Sequence, residues 1–272
     1  MKKRVGDQSH TRRVDSFPCL AARVHAIDIS NWFFTSLVSV GLYKRIGILG
    51  GMTAESTISY YQHIFKRYKE LHGNLAYPEI VIYDVSFQRF EDWMMVEDWD
   101  SIEEGLMDGL RRLHAAGADF GVIATNTMHI LFEKLKARSP IPLLSIVDAT
   151  AEAVKEAGLD KVGLLGTRFT MEKPFYVDGL RAHGIEVIVP EEKERTFIDR
   201  VAFQELSLGK LLPDSRKGYL EIIDRLVEEG AQGIVLGCTE IPLLVTSEHT
   251  DVRLFDTAVI HAEKALQYAL AD

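Results

Sequence analysis

Two stretches of this chain repeat one another. Arg112-Leu113-His114-Ala115-Ala116-Gly117-Ala118 and Arg225-Leu226-Val227-Glu228-Glu229-Gly230-Ala231 each run straight into a hydrophobic strand. Their register is ungapped at 113 positions, and carried to the ends of the two strands it sets Thr125 opposite Cys238. An earlier pair, Arg45-Ile46-Gly47-Ile48-Leu49-Gly50 and Lys161-Val162-Gly163-Leu164-Leu165-Gly166, repeats at 116 positions, so one loop insertion accounts for the drift. Either match alone is what any two βα units share; both in the same order imply a duplication. Open α/β sheets bind ligands outside the carboxyl ends of their strands. A duplicated chain of this kind therefore presents one hydroxyl and one thiol at equivalent strand ends.

From Lys44 onward, short Val/Ile/Leu runs alternate with longer segments of helical period, the pattern of a βα-repeating, mostly parallel sheet. The runs predict strands near 44–50, 79–85, 119–124, 142–146, 161–165, 185–189, 232–237 and 252–255. The clearest helices are 54–71, 101–116, 148–157, 213–229 and 257–270, with Asp256 or Thr257 as N-cap of the last. Gly117, Gly158, Gly184 and Gly230 each stand where a left-handed C-cap glycine ends a helix before a strand. The expected fold is α/β, with two similar lobes of mostly parallel sheet related by a pseudo-two-fold and a cleft between them. Residues 44–146 form the first lobe, completed by a carboxyl-terminal helical segment, 253–272, and residues 147–252 form the second. Residues 1–43, with Lys2, Lys3, Arg4, Arg12 and Arg13 ahead of an apolar stretch around Trp32-Phe33-Phe34, read as an amino-terminal extension, disordered or from a start drawn too far upstream. That stretch is shorter than a membrane span.

At 272 residues there is ample material for buried cores. A net charge of −9 argues against a nucleic-acid surface, which needs clustered positive charge. The two cysteines, Cys19 and Cys238, make neither a disulfide framework nor a thiolate cage for a metal, and fit a reducing cytoplasm. No His/Glu pair has metalloprotease spacing. Gly50-Gly51-Met52-Thr53-Ala54-Glu55 lacks both the dinucleotide-binding glycine pattern and the Lys-Ser/Thr of a phosphate loop. A flexible backbone beside a small ligand explains its double glycine, and Glu55 reads as a first-turn carboxylate facing the helix dipole.

Cys238 lies between Ile234-Val235-Leu236-Gly237 and Thr239-Glu240-Ile241-Pro242, where Pro242 suits the first turn of a helix. A thiol at a helix start is expected to lean towards thiolate and can act as base or nucleophile; the same residue can also be a small apolar core side chain. Thr125-Asn126-Thr127 and Cys238-Thr239 bring short polar groups to equivalent strand ends, suited to holding a carboxylate or to capping helices. His129 either orients a site group or belongs to the core. Trp93-Met94-Met95 and Trp99 read as a packing or interface surface, and Gln88 and Arg89 as a solvated loop.

Ile48-Leu49-Gly50-Gly51-Met52-Thr53-Ala54-Glu55-Ser56-Thr57, Asn126-Thr127-Met128-His129, Leu165-Gly166-Thr167 and Gly237-Cys238-Thr239-Glu240-Ile241, taken in order, resemble the aspartate/glutamate racemase superfamily, in its branch without pyridoxal phosphate. The resemblance runs from about Lys44 to the end. It implies a cofactor-independent, cytoplasmic, homodimeric amino-acid racemase with no metal, no nucleic-acid or membrane partner, and a small-molecule amino acid, aspartate or glutamate, as substrate. It further implies a catalytic cysteine in each lobe on opposite faces of the substrate α-carbon. Cys238 matches the second and would face the L-enantiomer's α-hydrogen; Thr125 stands in the place of the first. Met52, Thr53, Asn126, Thr127, Thr167 and Thr239 would position the substrate. The alternatives are a single-cysteine decarboxylase of malonate-type acids and a catalytically impaired carboxylate-binding protein.

Overall fold

Continuous apolar runs become strands here because each central strand is covered on both faces, as parallel sheets require. The computed structural model describes residues 43–271. The expected amino-terminal extension thus lies outside the described residues apart from Tyr43, whose hydroxyl lies 3.5 Å from that of Tyr68. The first half runs β1 (Ile46–Gly50), α1 (Ala54–His72), β2 (Ile80–Asp84), α2 (Phe87–Met95), α3 (Trp99–Ala115), β3 (Phe120–Ile123), a 3₁₀ turn over Thr127–Leu131, α4 (Phe132–Arg138) and α5 (Ile146–Glu156). The second runs β4 (Lys161–Gly166), α6 (Arg168–Glu172), α7 (Pro174–Ala182), β5 (Glu186–Ile188), α8 (Glu192–Gln204), a 3₁₀ turn over Leu206–Leu208, α9 (Pro213–Glu228), β6 (Gly233–Gly237), α10 (Ile241–Leu244), β7 (Arg253–Asp256) and α11 (Thr257–Leu270).

Two parallel sheets result, in the orders β2-β1-β3 and β5-β4-β6-β7. They share one plan, since Leu143 adds a single parallel bridge beside Gly121 of β3, where β7 lies beside β6. The strand expected over 142–146 is reduced to that bridge. Pro142 has no N–H to give a ladder, and only its carbonyl and the Leu144 N–H bond Gly121, at 2.8 and 3.1 Å.

Residues 253–272 do not move to the first lobe as one piece. Residues 253–256 are β7 and pair with β6 in the second sheet; only α11 crosses back. Its Ala258, Ala262, Ala265 and Ala269 pack with Ile46, Ile48, Phe120 and Val122 of the first sheet and with Tyr60, Ile64 and Tyr68 of α1. The small side chains let the helix approach closely. Reciprocally, α5, which follows the first lobe's last extended segment, buries Ile146, Val147, Ala151 and Val154 against Val162, Leu164 and Val235 of the second sheet. Each lobe thus receives the helix that follows the other lobe's final strand.

Gly117, Gly158, Gly184 and Gly230 all have positive φ, between 73° and 98°, as left-handed caps do. Gln88 and Arg89 are not in a loop: they stand on α2, where Gln88 hydrogen-bonds Asp92 at 2.9 Å and the Arg89 guanidinium lies over the Trp93 ring. Phe90 and Met94 are the buried side of that helix, so its apolar period outweighs its polar start. No helix among the described residues is long and apolar enough to cross a membrane.

Candidate active site

The carboxyl ends of β1 and β3 in the first sheet and of β4 and β6 in the second converge on one cavity of about 40 Å³. Met52, Thr53, Thr125, Asn126, Thr127, Thr167, Cys238 and Thr239 all line it. So do Phe87 and Met94 of α2, Ala202 and Phe203 of α8, Ser207, and Glu240. Met94 and Phe203 also wall a larger outer recess of about 600 Å³. Among the described residues no group of three or more His, Cys, Asp and Glu side chains gathers as a metal would need.

The two threonines that open helices hold their own caps: Thr53 Oγ1 accepts from the Ser56 N–H of α1, and Thr167 Oγ1 from the Thr170 N–H of α6. Before Thr53 the chain turns through Gly51 at φ 82°, where a Cβ would come within 2.4 Å of the Val85 carbonyl oxygen. Only glycine fits that close approach. Asn126 and Thr239 are free of capping duty. Asn126 Nδ2 donates to Thr257 Oγ1 at 2.9 Å, which in turn donates to the Leu236 carbonyl at the end of β6. Asn126 Oδ1 is buried and has no hydrogen-bond partner among the described residues, so this lining side chain keeps an unspent acceptor. Thr127 and Thr167, one from each half, share a hydroxyl–hydroxyl bond of 3.0 Å.

Thr125 is fixed through its backbone. The Ile146 N–H of α5 donates to His129 Nε2 at 3.1 Å, so Nδ1 carries the proton and donates to the Thr125 carbonyl at 2.8 Å. Burial drives His129 down to about 4, which keeps the ring neutral and this tautomer in place. The orienting role is the one the structure assigns to His129, and it acts on the carbonyl rather than on the hydroxyl.

Cys238 departs from the sequence expectation. The Glu240 N–H does lower its thiol pKa, as a helix start should, but burial and the Glu240 carboxylate outweigh that effect and push the thiol well above its ordinary range. Cys238 Sγ donates to Glu240 Oε2 at 3.0 Å; the resting group is a hydrogen-bonded thiol, not a thiolate. Glu240 was not singled out from the sequence, where it appears only as a residue of the motif. Its oxygens also accept from Thr53 at 2.6 Å and Thr239 at 3.0 Å, with Ser56 at 3.4 Å. A turn closed by the Ile241 N–H on the Cys238 carbonyl folds the carboxylate back under the thiol. The cavity therefore offers one thiol, several hydroxyls and an amide oxygen around a space open to both halves. That set can bind a small zwitterion and move a proton.

The Asp/Glu/Hydantoin racemase family model matches residues 49–265. A Yersinia pestis structure, provisionally described as an Asp/Glu racemase, is 43% identical, with a TM-score of 0.78 over 84% of this chain and 100% of that one. An aspartate racemase homologue from Pyrococcus horikoshii is 36% identical, with a TM-score of 0.73 over 84% and 100%. The broad specificity amino-acid racemase RacX of Bacillus subtilis is 25% identical over 232 residues, 83% of this chain and 98% of that protein.

Proposed function

Because the chain belongs to the Asp/Glu/Hydantoin racemase family, we propose that it racemises an acidic amino acid, aspartate or glutamate, without a cofactor, by moving the α-proton between Cys238 and Thr125. Cys238 serves the face that carries the L-enantiomer's α-hydrogen, and Thr125, directly or through water, serves the other. The observation that carries this reading is that both residues line one cavity from the ends of equivalent strands, β6 and β3.

Asn126 Oδ1 is suited to a substrate ammonium, and the Thr127–Thr167 hydroxyl pair to its carboxylates, while Thr53 and Thr239, whose protons go to Glu240, keep oxygen lone pairs that can accept from the ammonium. Such local attraction is what an anionic substrate needs on a chain of net charge −9. The two bases are unequal. A threonine hydroxyl is a far weaker acid than a thiol, and each pKa unit of mismatch costs about 1.4 kcal/mol in proton transfer. A cytoplasmic homodimer belongs to the same proposal.

The test is a panel of L-amino acids, each incubated in heavy water with protein treated with chelator and given no pyridoxal phosphate, followed by chiral chromatography with mass detection. Aspartate or glutamate should yield a D-enantiomer carrying one α-deuterium. Carbon dioxide release from a malonate-type acid, or binding of these amino acids with no α-exchange, would overturn the proposal.

A further inference from the structure

Glu240 is a buried carboxylate, 6% exposed, whose hydrogen-bond partners are all neutral groups. Burying an ionised carboxylate is costly unless hydrogen bonds compensate it, and here they are drawn from both halves of the molecule. Thr53 and Ser56 come from the start of α1, and Cys238 and Thr239 from the end of β6. Oε1 is held by the first pair, leaving Oε2 in line with the thiol and Thr239. The other ionisable groups facing the pair are Asp199 and Tyr219, with Glu205 beyond them acting on Tyr219. Asp199 accepts from the Arg168 backbone N–H, Glu205 is paired with Arg200, and the Tyr219 hydroxyl donates to the Ile198 carbonyl. The remaining acceptor within hydrogen-bond reach of Sγ is Glu240 Oε2.

We propose that Glu240 is the proton acceptor through which Cys238 works as a base. This rests on the racemisation reading and adds to it the place where the thiol proton goes. When L-substrate reacts, the Cα–H bond breaks and its electron pair stays on Cα, delocalised into the α-carboxylate. The α-proton bonds to Sγ while the proton already on Sγ moves to Oε2, so the negative charge leaving Glu240 appears on the enediolate. In the reverse direction Sγ–H protonates the carbanion and Oε2 returns its proton to sulfur. Without such an acceptor a buried thiol must first lose its proton to solvent.

Glu240→Gln, which keeps the volume but not the acceptor, tests this with two readouts. The first is the pH dependence of iodoacetamide alkylation, followed by mass spectrometry on the Cys238 peptide because Cys19 is also a thiol. In the wild type, alkylation should keep an acid limb below the thiol titration, since attack on the reagent can hand the thiol proton to Oε2; in Glu240→Gln that limb should be gone and one thiol titration should remain. The second is racemisation at pH 7, which should fall by ~10²-fold or more, the range a positioned proton acceptor contributes, and recover towards alkaline pH. Glu240→Asp, which keeps a carboxylate, should retain more activity than Gln and guards against a folding defect. An acid limb that survives in Glu240→Gln, or turnover that is unchanged or raised, would overturn the proposal. If the wild type racemises nothing, the racemase reading fails, while the alkylation limb still decides whether Glu240 takes the Cys238 proton.

Discussion

Replacing Cys238 with serine should remove racemisation by ~10³-fold or more, within the range that a positioned general acid or base contributes, and leave the fold in place. The thiol makes one side-chain hydrogen bond, to Glu240 Oε2, which a serine hydroxyl can also make. The remaining contacts of Cys238 are with the core of the second half, among Leu236, Ile241 and Leu244, and the two side chains are nearly the same size. What changes is acidity, because a hydroxyl neither ionises nor hands on a proton near neutrality as a thiol can. Circular dichroism and thermal melting should be close to wild type while chiral assays show no D-product. A variant within tenfold of the wild-type rate would remove Cys238 from the reaction.

Acid should unfold this protein well before its surface carboxylates titrate. His129 and His261 are fully buried and neutral, held down to about 4 and about 3 by burial, and they meet edge to face at 5.8 Å. His261 donates from Nε2 to the Leu144 carbonyl, so Nδ1 accepts from the Tyr60 hydroxyl at 2.7 Å. Both rings thereby tie α5, α11 and α1 together. Their folded-state values lie below the unfolded value of about 6.5, so the stability they secure is complete above that pH. It is lost as pH falls, because the unfolded chain takes up protons that the folded one refuses. At about 1.4 kcal/mol per pKa unit, the pair loses on the order of 5 kcal/mol between pH 7 and pH 4, a large share of a typical domain's stability. Burial holds the Asp199 and Asp256 carboxyls above their ordinary range, and these work in the opposite sense. Urea unfolding at pH 7, 5.5 and 4.5 should show the decline, and His261→Gln should flatten it. A stability independent of pH between 6.5 and 4.5 would contradict the buried neutral assignment.

The lobed α/β architecture was legible because central strands in covered parallel sheets are uninterrupted apolar runs, and because Gly117 and Gly230 punctuate the same turn in each half. α8 was not, since Glu192-Lys193-Glu194-Arg195 gives it a charged start and only Ile198, Val201 and Ala202 are buried. Its contribution to the site, Ala202 and Phe203, was therefore invisible. The lining residues at the strand ends, Met52, Thr53, Thr125, Asn126, Thr127, Thr167, Cys238 and Thr239, were readable from the motifs, because β1, β3, β4 and β6 deliver their loops to one place. Glu240 was missed for a different reason. Its bond to Thr53 spans 187 positions in the chain, and no local period encodes it. The helix-start argument gave Cys238 the wrong protonation state because it contained the N–H but neither the burial of the thiol nor the carboxylate two residues on that folds back beneath it.

Racemisation has an equilibrium constant of one, so the catalytic efficiencies for the two enantiomers are equal whatever the bases are, and rates of inversion alone cannot reveal an unequal pair. Isotope exchange can. With L-aspartate or L-glutamate in heavy water, Cys238 can remove the α-hydrogen, exchange it for a solvent deuteron while the carbanion waits on the slow Thr125, and return that deuteron to the same face. α-Deuterated L-substrate should accumulate faster than D-product, by ~10-fold or more if the mismatch is at least one pKa unit, and Thr125→Cys should narrow that gap. D-enantiomer appearing as fast as deuterated L-substrate in the wild type would contradict proton transfer between a strong Cys238 and a weak Thr125.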